Sequence, residues 1–492
     1  MRSGACASRP AARSGAQARL LAAREAREER IRGLADGPPG SCLVAIGLSL
    51  PGEEKDPRGG GRVVALAASL LQESCRAAGI AERRRAGAPG EGPDDAALGP
   101  FAAIELVAPP GRAKAVCVEL EESLPWGRVL DLDVYVAPGA SGLREVGRGA
   151  LGLPGRRCLL CDEPARECIL LRRHAPGALA GRTRELLREA RRSTCARDLA
   201  AALVRGARAE LDLTPKPGLV DRRDAGSHPD LSHEAMARSI GLLPAYYREL
   251  VGILESVPAR GRPVPRAGRL EEAVLSRCIE AGRRAESRMF DAVGANAHRG
   301  FIFLSGLVLL AAWEAGTTAP ARLRPALAGL ARRFFARPAG TGPVTAARPG
   351  GVLREERGIG GIAAEALAGL PGVFERALPH LVPPAPGGGA DGRRVFRAMA
   401  ELMIALEDTT AIHRCGPEGL RRIRQDGERL RDLLARDQDP APHLATWNDE
   451  YRARGLTMGG VADCLAVALA LAACDVPGPD PAAVRRERPA AS

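Results

Sequence analysis

Lys216 is the residue whose surroundings predict chemistry most directly. It stands in the run Leu-Thr-Pro-Lys-Pro-Gly-Leu-Val-Asp, which extends from Leu213 to Asp221. Proline on both sides fixes the backbone and disfavours a helix, so we expect the ammonium group on a stiff loop. Nearly all basic residues of the chain are arginines, and its only other lysines are Lys55 and Lys114. A lysine here indicates a compact point charge for an anion such as a phosphate; the alternative is a surface turn with an incidental lysine.

Polar residues also cluster where apolar helices are predicted to begin. Asn296, His298 and Arg299 come just before the apolar run Phe301–Trp313. This order places them near a helix N-terminus, where anions are favoured. Asp463 follows two glycines and lies in the first turns of another predicted helix.

The segment Glu407–Gly416 is predicted to close a helix. Thr409 and His413, and likewise Thr410 and Arg414, stand one helical turn apart. Taken singly, each polar cluster is also explained as a helix cap or as a satisfied polar group of the core. Four clusters in one helical region, the lysine loop included, predict a shared binding site.

Two carboxylates share one face of a predicted strand in the first half of the chain. The run Gly127–Val136 alternates so that Asp131, Asp133 and Tyr135 point to one face and the residues between them to the core. Paired carboxylates on one edge suit one or two Mg²⁺ ions in phosphoryl or nucleotidyl transfer. An exposed strand face that binds no metal is the alternative.

Three cysteines and a histidine lie within a span of 17 residues downstream of this strand. Cys158, Cys161, Cys168 and His174 form a Cys₃His set that begins with a Cys-x-x-Cys pair, which is typical of a structural zinc knuckle. The later spacings are tighter than those of common zinc fingers. A reduced helical hairpin with buried thiols is the alternative.

The elements that would position these residues differ between the two halves. Up to about residue 136, short β-like runs alternate with helices and Gly/Pro loops, which predicts an α/β domain. Beyond about residue 182 the pattern is almost wholly helical. We expect a multidomain chain: a disordered extension at 1–17, an α/β domain with nucleotidyltransferase-like chemistry at 18–182, an all-α domain at 190–480, and a boundary near 176–192. The β-like runs are Leu43–Leu48, Ala102–Val107, Ala115–Leu120 and Val129–Val136.

Charge and composition argue against several classes of protein. The formal net charge is +12, but arginines alternate with glutamates, as between Arg24 and Arg32, and no aromatic residues interleave with them as base stacking requires. Nucleic-acid binding is therefore not expected. The longest apolar run falls short of the roughly 20 residues that span a bilayer. We see no signal peptide, and the twelve cysteines lack the framework of a small secreted domain, which predicts a cytoplasmic protein without a membrane partner.

The motifs of the second half, in this order, resemble the triphosphoribosyl-dephospho-coenzyme-A synthase family. The matching segments are Thr-Pro-Lys-Pro-Gly-Leu-Val-Asp, Gly-Ala-Asn-Ala-His-Arg-Gly, Glu-Asp-Thr with His-Arg, and Gly-Gly-Val-Ala-Asp, and they cover about residues 195–475. Ala363 stands where the family has an arginine, and Met458 lies in a second altered motif. The resemblance implies an all-helical enzyme that condenses ATP with 3′-dephospho-coenzyme A and releases adenine.

Such a reaction breaks the bond between adenine and ribose through an oxocarbenium-like centre. This centre favours a nearby carboxylate, an acid for the leaving group and a base for the incoming hydroxyl. We expect phosphate or substrate binding by Lys216, Asp221, Arg299, Asn296, Arg414 and His228. The carboxylates that would catalyse, hold Mg²⁺ or orient the ribose and its attacking 2′-hydroxyl are Asp221, Glu365, Asp408 and Asp463. The candidates for proton transfer at adenine are His298, His228 and His413, which the sequence does not rank.

The first half resembles the family that transfers the phosphoribosyl-dephospho-coenzyme-A group to the apo acyl carrier subunit of citrate lyase. The match rests on Leu-Ala-Ala-Arg-Glu at 21–25, Pro-Gly-x-x-Lys at 51–55, Gly-Arg-x-x-Asp-x-Asp-Val at 127–134 and the Cys/His stretch, about residues 18–180 in all. By this resemblance, a carrier serine attacks the α-phosphorus and pyrophosphate leaves. Asp131 and Asp133 would hold the metal, Arg128 and Lys55 would neutralise the triphosphate, and Glu119 is a candidate third carboxylate.

Other functions remain open at this point. The recipient could be the related carrier of malonate decarboxylase, which uses the same prosthetic group. The altered motif around Ala363 also allows a carrier-binding protein whose synthase half has lost activity. The net positive charge, taken alone, would indicate a nucleic-acid-binding protein. The sequence does not indicate an oligomeric state.

Overall fold

The computed structural model describes residues 15–35, 37–51, 60–86, 95–136, 143–256, 270–295, 297–336, 360–382 and 392–474. Lys55 and Asn296 lie outside the described residues, as do residues 1–14 of the expected extension. The chain divides between Thr194 and Cys195 into two compact units. The boundary expected at 176–192 falls within one continuous helix, Pro176–Asp212.

The first unit combines helices with a five-stranded antiparallel sheet in the order β2-β3-β1-β4-β5. The strands are β1 (Ser41–Leu48), β2 (Ala81–Ala86), β3 (Ala102–Val107), β4 (Leu130–Val136) and β5 (Arg144–Val146). The helices are α1 (Gly15–Leu34), α2 (Gly60–Ala77), α3 (Asp95–Leu98), α4 (Pro110–Ser123) and α5 (Ala165–Leu170). Short 3₁₀ turns stand at Gly127–Val129 and Arg148–Leu151.

The sheet buries its two faces against different partners. Val44, Leu132 and Val134 belong to the core that includes α2 and α4, whereas Leu43 and Ala45 pack on the other side with Ile31 of α1. Along β4, buried residues alternate with half-buried ones. The predicted alternation, which puts the two aspartates on the face opposite the larger core, is therefore confirmed.

The prediction of a strand at Ala115–Leu120 is wrong. These residues belong to α4, which begins at Pro110 and buries Ala113, Val116, Cys117 and Leu120 at helical spacing. Proline is tolerated in the first turn of a helix, where its missing N–H costs nothing, so the two prolines at 109–110 start this helix. The apolar run of 115–120 was too short for periodicity to separate a strand from a helix.

Every described element of the second unit is helical. Its helices are α6 (Pro176–Asp212, which begins in the first unit), α7 (His233–Glu255), α8 (Glu272–Val293), α9 (Arg299–Ala315), α10 (Pro320–Phe335), α11 (Gly361–Leu367), α12 (Leu378–Leu381), α13 (Gly392–Ala405), α14 (Thr409–Ala435), α15 (Ala441–Arg454) and α16 (Gly459–Cys474). A π-helical turn, Gly372–Ala377, precedes α12. The apolar helices α9 and α16 lie at the centre, with most of their residues buried.

The segment Glu407–Gly416 opens a helix instead of closing one. Helix α13 ends at Ala405, and Asp408 caps the N-terminus of α14. Aspartate is among the best N-cap residues because its oxygens accept the free N–H groups of the first turn. The helix kinks at Gly416, whose φ of 65° suits glycine.

Among the described residues, no single helix is both long and apolar enough to cross a membrane. Taken together, α9 and α10 are long and apolar enough by length and composition, but the pair is sharply bent between the two helices.

Candidate active sites

The described part of the second unit contains a partly open cavity of about 520 Å³. Three helices have their N-termini in its wall: α9 at Arg299, α14 at Thr409 and α16 at Gly459. The first turn of a helix carries N–H groups without helical partners and a partial positive charge. Three such ends in one wall favour a ligand with several negative charges. The volume is within the range of roughly 300–1,000 Å³ found for small-molecule sites.

Lys216 is buried behind the wall of this cavity. It lies in the non-helical segment between α6 and α7, as its flanking prolines predicted, and its side chain is 1% exposed. Its Nζ donates to both Oε1 and the backbone O of Glu210, each at 2.6 Å. Glu210 is the member of this pair that lines the cavity. Lys216 therefore holds a carboxylate at the site, where the sequence suggested a phosphate.

Asp221 organises the lysine loop from within. Its Oδ2 accepts the backbone N–H of Lys216 at 2.9 Å, and its Oδ1 accepts those of Arg223 and Asp224 at 2.7 and 3.3 Å. The side chain is buried, and it does not belong to the cavity lining. These bonds occupy both oxygens with the loop's own backbone, whereas the sequence suggested magnesium or ribose.

His298 presents one ring nitrogen with no hydrogen-bond partner. Its Nδ1 lies 2.6 Å from Ser239 Oγ, and that hydroxyl donates its own hydrogen to the carbonyl of Met236 at 2.7 Å. With the Ser239 hydrogen given to Met236, the ring hydrogen of His298 lies on Nδ1 and the lone pair on Nε2, which is buried without a partner. Burial, and then the charge of Lys216, lower the pKa of His298 to about 4. The imidazole is thus neutral at pH 7 and oriented as a proton acceptor.

Asp463, the fifth residue of α16, lines the cavity beside the start of α9. A Cβ at Gly300 would come within 2.0 Å of Asp463 Oδ2, so the carboxylate lies directly against the glycine backbone. The pKa of Asp463 is raised well above its usual range by burial, and further by the negative charges of Glu210 and Asp408. Such a carboxyl group binds a proton readily and can donate it.

Asp408 ties the starts of two helices together. Its Oδ1 accepts the N–H groups of Thr410 and Ala411 in α14, and its Oδ2 those of Gly460 and Val461 in α16, at 2.7–3.2 Å. The side chain is 2% exposed. Burial raises its pKa although the four hydrogen bonds oppose the shift. Its position is that of a clamp between two walls of the cavity.

Glu365 lies outside the cavity lining. Its Oε2 accepts the N–H of Gly372 at 3.0 Å and so fixes the start of the π-helical turn. Burial, and then the charge of Glu375, raise its pKa, while the bond from Gly372 lowers it. Ala363, which replaces the arginine of the similar family, does line the cavity.

The remaining predicted residues divide between the cavity and its surrounding loops. Arg299 lines the cavity, and its Nε lies 3.4 Å from Glu286 Oε2. His228 also lines it and bonds Thr457 Oγ1 at 2.8 Å; its pKa is lowered by burial and by Arg414. The guanidinium of Arg414 donates to the Ser227 carbonyl at 2.7 Å and stays outside the lining. His413 is exposed at the cavity rim.

The carboxylate pair of the first unit has two cationic neighbours. Arg156 Nη1 donates to Asp131 Oδ1 at 2.6 Å. Lys114, buried on α4, donates to the Leu132 carbonyl at 2.7 Å and places Nζ 3.9 Å from Asp133 Oδ1. The side chains of Asp131 and Asp133 are 43% and 35% exposed, so a ligand can reach both.

The surroundings of Asp133 disfavour the charged form of its carboxyl group. Its pKa is raised to about 7, by burial, by the charge of Asp131 and by Glu145, while Lys114 and Arg156 act in the opposite direction. Glu145, exposed on β5, is thus the third carboxylate that acts on this pair. Glu119, the candidate from sequence, is exposed on α4.

Arg128 binds the cysteine loop instead of the carboxylate pair. Its Nη1 donates to the carbonyls of Cys158 and Cys161 at 2.9 and 3.2 Å, and its Nη2 to Asp162 at 2.7 Å. The donor atoms of the four predicted zinc ligands all lie within 4.8 Å of one another; these ligands are Cys158, Cys161, Cys168 and His174.

Comparison with known proteins decides the family of this chain. Residues 196–481 match the family model of the ATP:dephospho-CoA triphosphoribosyl transferases. The chain belongs to that family. Residues 16–190 match a second model, the apo-citrate lyase phosphoribosyl-dephospho-CoA transferases. The chain is therefore a fusion of two transferases, as the sequence motifs predicted.

Relatives of both kinds are found. Protein CitXG of Leuconostoc mesenteroides is 27% identical over 376 residues, which are 73% of this chain and 77% of that protein. A probable 2-(5″-triphosphoribosyl)-3′-dephosphocoenzyme-A synthase of Azotobacter vinelandii is 33% identical over 267 residues, 53% of this chain and 86% of its own length. A protein of Albidiferax ferrireducens with the same description is 33% identical over 281 residues, 54% of this chain and 87% of its own length.

Sequence reasoning missed several residues of this triphosphoribosyl transferase chain. Glu210 lies six residues before Lys216 at the end of a helix, and nothing in its own pattern separates it from other helical glutamates. Arg283 and Glu286 line the cavity from α8 and belong to a segment that reads as a charged helix face. Two others could have been found as candidates from the sequence. Arg156 stands just before the cysteine cluster, and Lys114 is one of only three lysines in the chain.

Proposed function

We propose that the chain makes the prosthetic group of citrate lyase and then attaches it. In the first step ATP and 3′-dephospho-coenzyme A give 2′-(5″-triphosphoribosyl)-3′-dephospho-coenzyme A and adenine. In the second step a serine of the apo acyl carrier subunit takes the phosphoribosyl-dephospho-coenzyme-A group and pyrophosphate leaves. The observation that carries the first step is the convergence of three helix N-termini on one cavity that also holds Glu210, His298 and Asp463.

The cavity supports triphosphate binding through backbone charge more than through side-chain cations. The start of α9 offers N–H groups to phosphate oxygens, and Arg299 adds a formal charge there. At the starts of α14 and α16, Asp408 already accepts four of the N–H groups, so these two ends contribute their helix dipoles. The apolar part of the wall, which includes Phe303, Phe334 and Phe335, suits a purine or a pantetheine arm.

The proton acceptor and donor of the first step are assigned by their opposite pKa shifts. We assign His298 Nε2 as the base that takes the proton of the attacking 2′-hydroxyl, because it is neutral, buried and unpaired. Asp463, with its raised pKa, is assigned as the acid that protonates the departing adenine. The new ribose–oxygen bond replaces the ribose–adenine bond, and the hydroxyl proton balances the one given to adenine. Glu210, beside Asp463, would stabilise positive charge at the ribose carbon.

For the second step we propose that Asp131 and Asp133 hold Mg²⁺. Asp131 raises the pKa of the neighbouring Asp133, and a divalent cation between the two carboxylates would relieve this repulsion, so the residues fit the ion. Bound there, Mg²⁺ would neutralise charge on the triphosphate. Arg156 and Lys114 would hold the carboxylates in place and favour the approach of the phosphates.

The decisive experiment separates the two steps in one preparation. The full chain with Mg²⁺, ATP and 3′-dephospho-coenzyme A should release adenine, and apo carrier added afterwards should gain the mass of the prosthetic group and release pyrophosphate. The variant His298→Gln should lower adenine release by roughly 10²- to 10⁴-fold and leave the transfer of supplied precursor unchanged. Asp131→Asn should do the reverse.

Failure of either half has a distinct outcome. Carrier modification from supplied precursor without any adenine release would mean that the synthase half is degenerate, as the alanine at 363 allows. Apo carriers of citrate lyase and of malonate decarboxylase, compared at equal concentration, identify the recipient. If both variants lost both steps equally, the division of labour between the units would be wrong.

A further inference from the structure

The segment that carries the cysteine cluster has no apolar core of its own. Among residues 152–175, only Cys158 and Cys168 are buried. Its helix, α5, has six residues and exposes Ile169 and Leu170 at 73% and 71%. A helix this short is not stable in isolation. Apart from Leu159, which packs against the core of the first unit, the segment has little apolar burial, and a bound ion would stabilise it.

The backbone brings four ligand atoms to one point. Cys158 and Cys161 stand on a tight loop closed by the bond from the Cys158 N–H to the Glu163 carbonyl at 2.8 Å. Cys168 is on α5, and Arg172, with a φ of 46°, reverses the chain after this helix so that His174 returns to the cluster. A non-glycine residue with positive φ costs energy and persists where other contacts compensate it.

The spacing of the donor atoms fits a tetrahedral zinc ion. Cys161 Sγ lies 3.5 Å from Cys168 Sγ and 3.3 Å from His174 Nε2. Zinc–sulfur bonds of about 2.3 Å and zinc–nitrogen bonds of about 2.0 Å in a tetrahedron place neighbouring ligand atoms roughly 3.5–3.8 Å apart. A disulfide would bring two sulfur atoms to about 2.05 Å.

We propose that Cys158, Cys161, Cys168 and His174 bind one structural Zn²⁺, and that the loop carrying these ligands, held by Arg128, positions Arg156 at the carboxylate pair of the transfer site. Arg128 donates to the carbonyls of Cys158 and Cys161, two of the ligand residues. Arg156, two residues before the first ligand, donates to Asp131 and also to the Arg128 carbonyl. The loop is thus joined to the residues just before β4 through Arg128 and to Asp131 of the carboxylate pair through Arg156.

The metal is tested without any assay of activity. The full chain, purified from zinc-containing medium, should hold one zinc per chain by elemental mass spectrometry. Replacement of Zn²⁺ by Co²⁺ should give the visible absorption of tetrahedral cobalt with thiolate ligands. Cys161→Ser should lose both signals, while Cys415→Ser, a partly buried cysteine of the second unit, should keep them. A wild-type chain without zinc, or one with a disulfide between Cys161 and Cys168, would overturn the proposal.

The positioning role rests on the proposed transfer step and is tested separately. Arg128→Gln should retain zinc and raise the KM for the triphosphoribosyl precursor about tenfold, which corresponds to about 1.4 kcal/mol, with kcat changed much less. A loss of folded protein would lower kcat without changing KM. Cys161→Ser should show the same KM increase, and adenine release should be unaffected in both variants. A normal KM in a zinc-free variant would contradict the positioning role but not the zinc site. Absence of transfer by the wild-type chain would instead contradict the proposed function.

Discussion

Gly300 and Asp463 are in direct contact, with the carboxylate of one against the backbone of the other. The Asp463 Oδ2 atom occupies the space where any side chain at position 300 would begin. This contact brings the N-terminal part of α16 against the first turn of α9. The glycine in the Asn-Ala-His-Arg-Gly motif is therefore required by its neighbour and not by its own backbone angles.

Gly300→Ala should displace Asp463 and lower adenine release by at least tenfold, because the new methyl group and the carboxylate cannot share one volume. Adenine release is measured at saturating ATP. The matched control is Gly241→Ala on the exposed face of α7, where a Cβ meets nothing within 4 Å. That change should leave activity intact and stabilise the helix by up to about 1 kcal/mol. Equal effects of the two substitutions would argue against the contact.

Asp408→Asn should destabilise the second unit by about 2–4 kcal/mol. Asparagine replaces one of the two accepting oxygens by an NH₂ group, which is itself a donor. Two of the four buried backbone N–H groups, such as those of Gly460 and Val461, then lose their acceptor. The free energy of unfolding is measured by urea titration. Asp439→Asn is the control, since Asp439 accepts one exposed N–H, from Ala441, and asparagine caps a helix as well as aspartate. Its cost should stay below about 0.5 kcal/mol; an equally small cost at Asp408 would contradict the clamp.

The stability of the first unit without divalent cations should fall as pH rises from about 4 through 7. The native pKa of Asp133, about 7, lies above its ordinary value of 3.8, so the folded state binds more protons than the unfolded state in this window. Ionisation of Asp133 then costs stability, and Mg²⁺ should restore it. Thermal unfolding in EDTA across this range, with and without added Mg²⁺, is the measurement. Asp133→Asn should remove most of the decrease; a variant with the wild-type pH dependence would assign it to another group.

Replacement of Lys216 should raise the pKa of His298 from about 4, because the nearby ammonium lowers it after burial does. Lys216→Met alone would strand Glu210 as a buried charge at a cost of about 3–5 kcal/mol, so Glu210→Gln should accompany it. The chain has only seven histidines, and their rings can be followed by NMR during a pH titration, with His298→Gln to assign the signal. A pKa that stays near 4 in the double variant would show that burial alone is responsible.

The elements were predictable where periodicity was long and unpredictable where it was short. The facing of Asp131 and Asp133 followed from strict alternation along β4. The strand expected at Ala115–Leu120 failed because six apolar-rich residues fit either period, and the prolines before α4 carried the decisive information. Asp408 was expected near the end of a helix, yet its residue type is that of an N-cap, and it begins one.

The candidate sites were predictable as sets of residues but not as contacts. Motif order brought His298 and Asp463 into one list, and both line the same cavity. The sequence could not show that Lys216 faces Glu210, because that pairing depends on the turn that Asp221 makes with its side chain. It could not rank the histidines either, since the order follows from burial and from the hydroxyl of Ser239.

The scarcity of lysine has a practical consequence for measuring motion in this protein. Of the lysines that the structure describes, Lys114 is 5% exposed and Lys216 is 1% exposed, one in each unit. An amine-directed reagent reaches either group only when the surrounding fold opens. Mass spectrometry of the two lysine peptides after timed labelling would therefore report, from a single sample, how often each half of the enzyme unfolds.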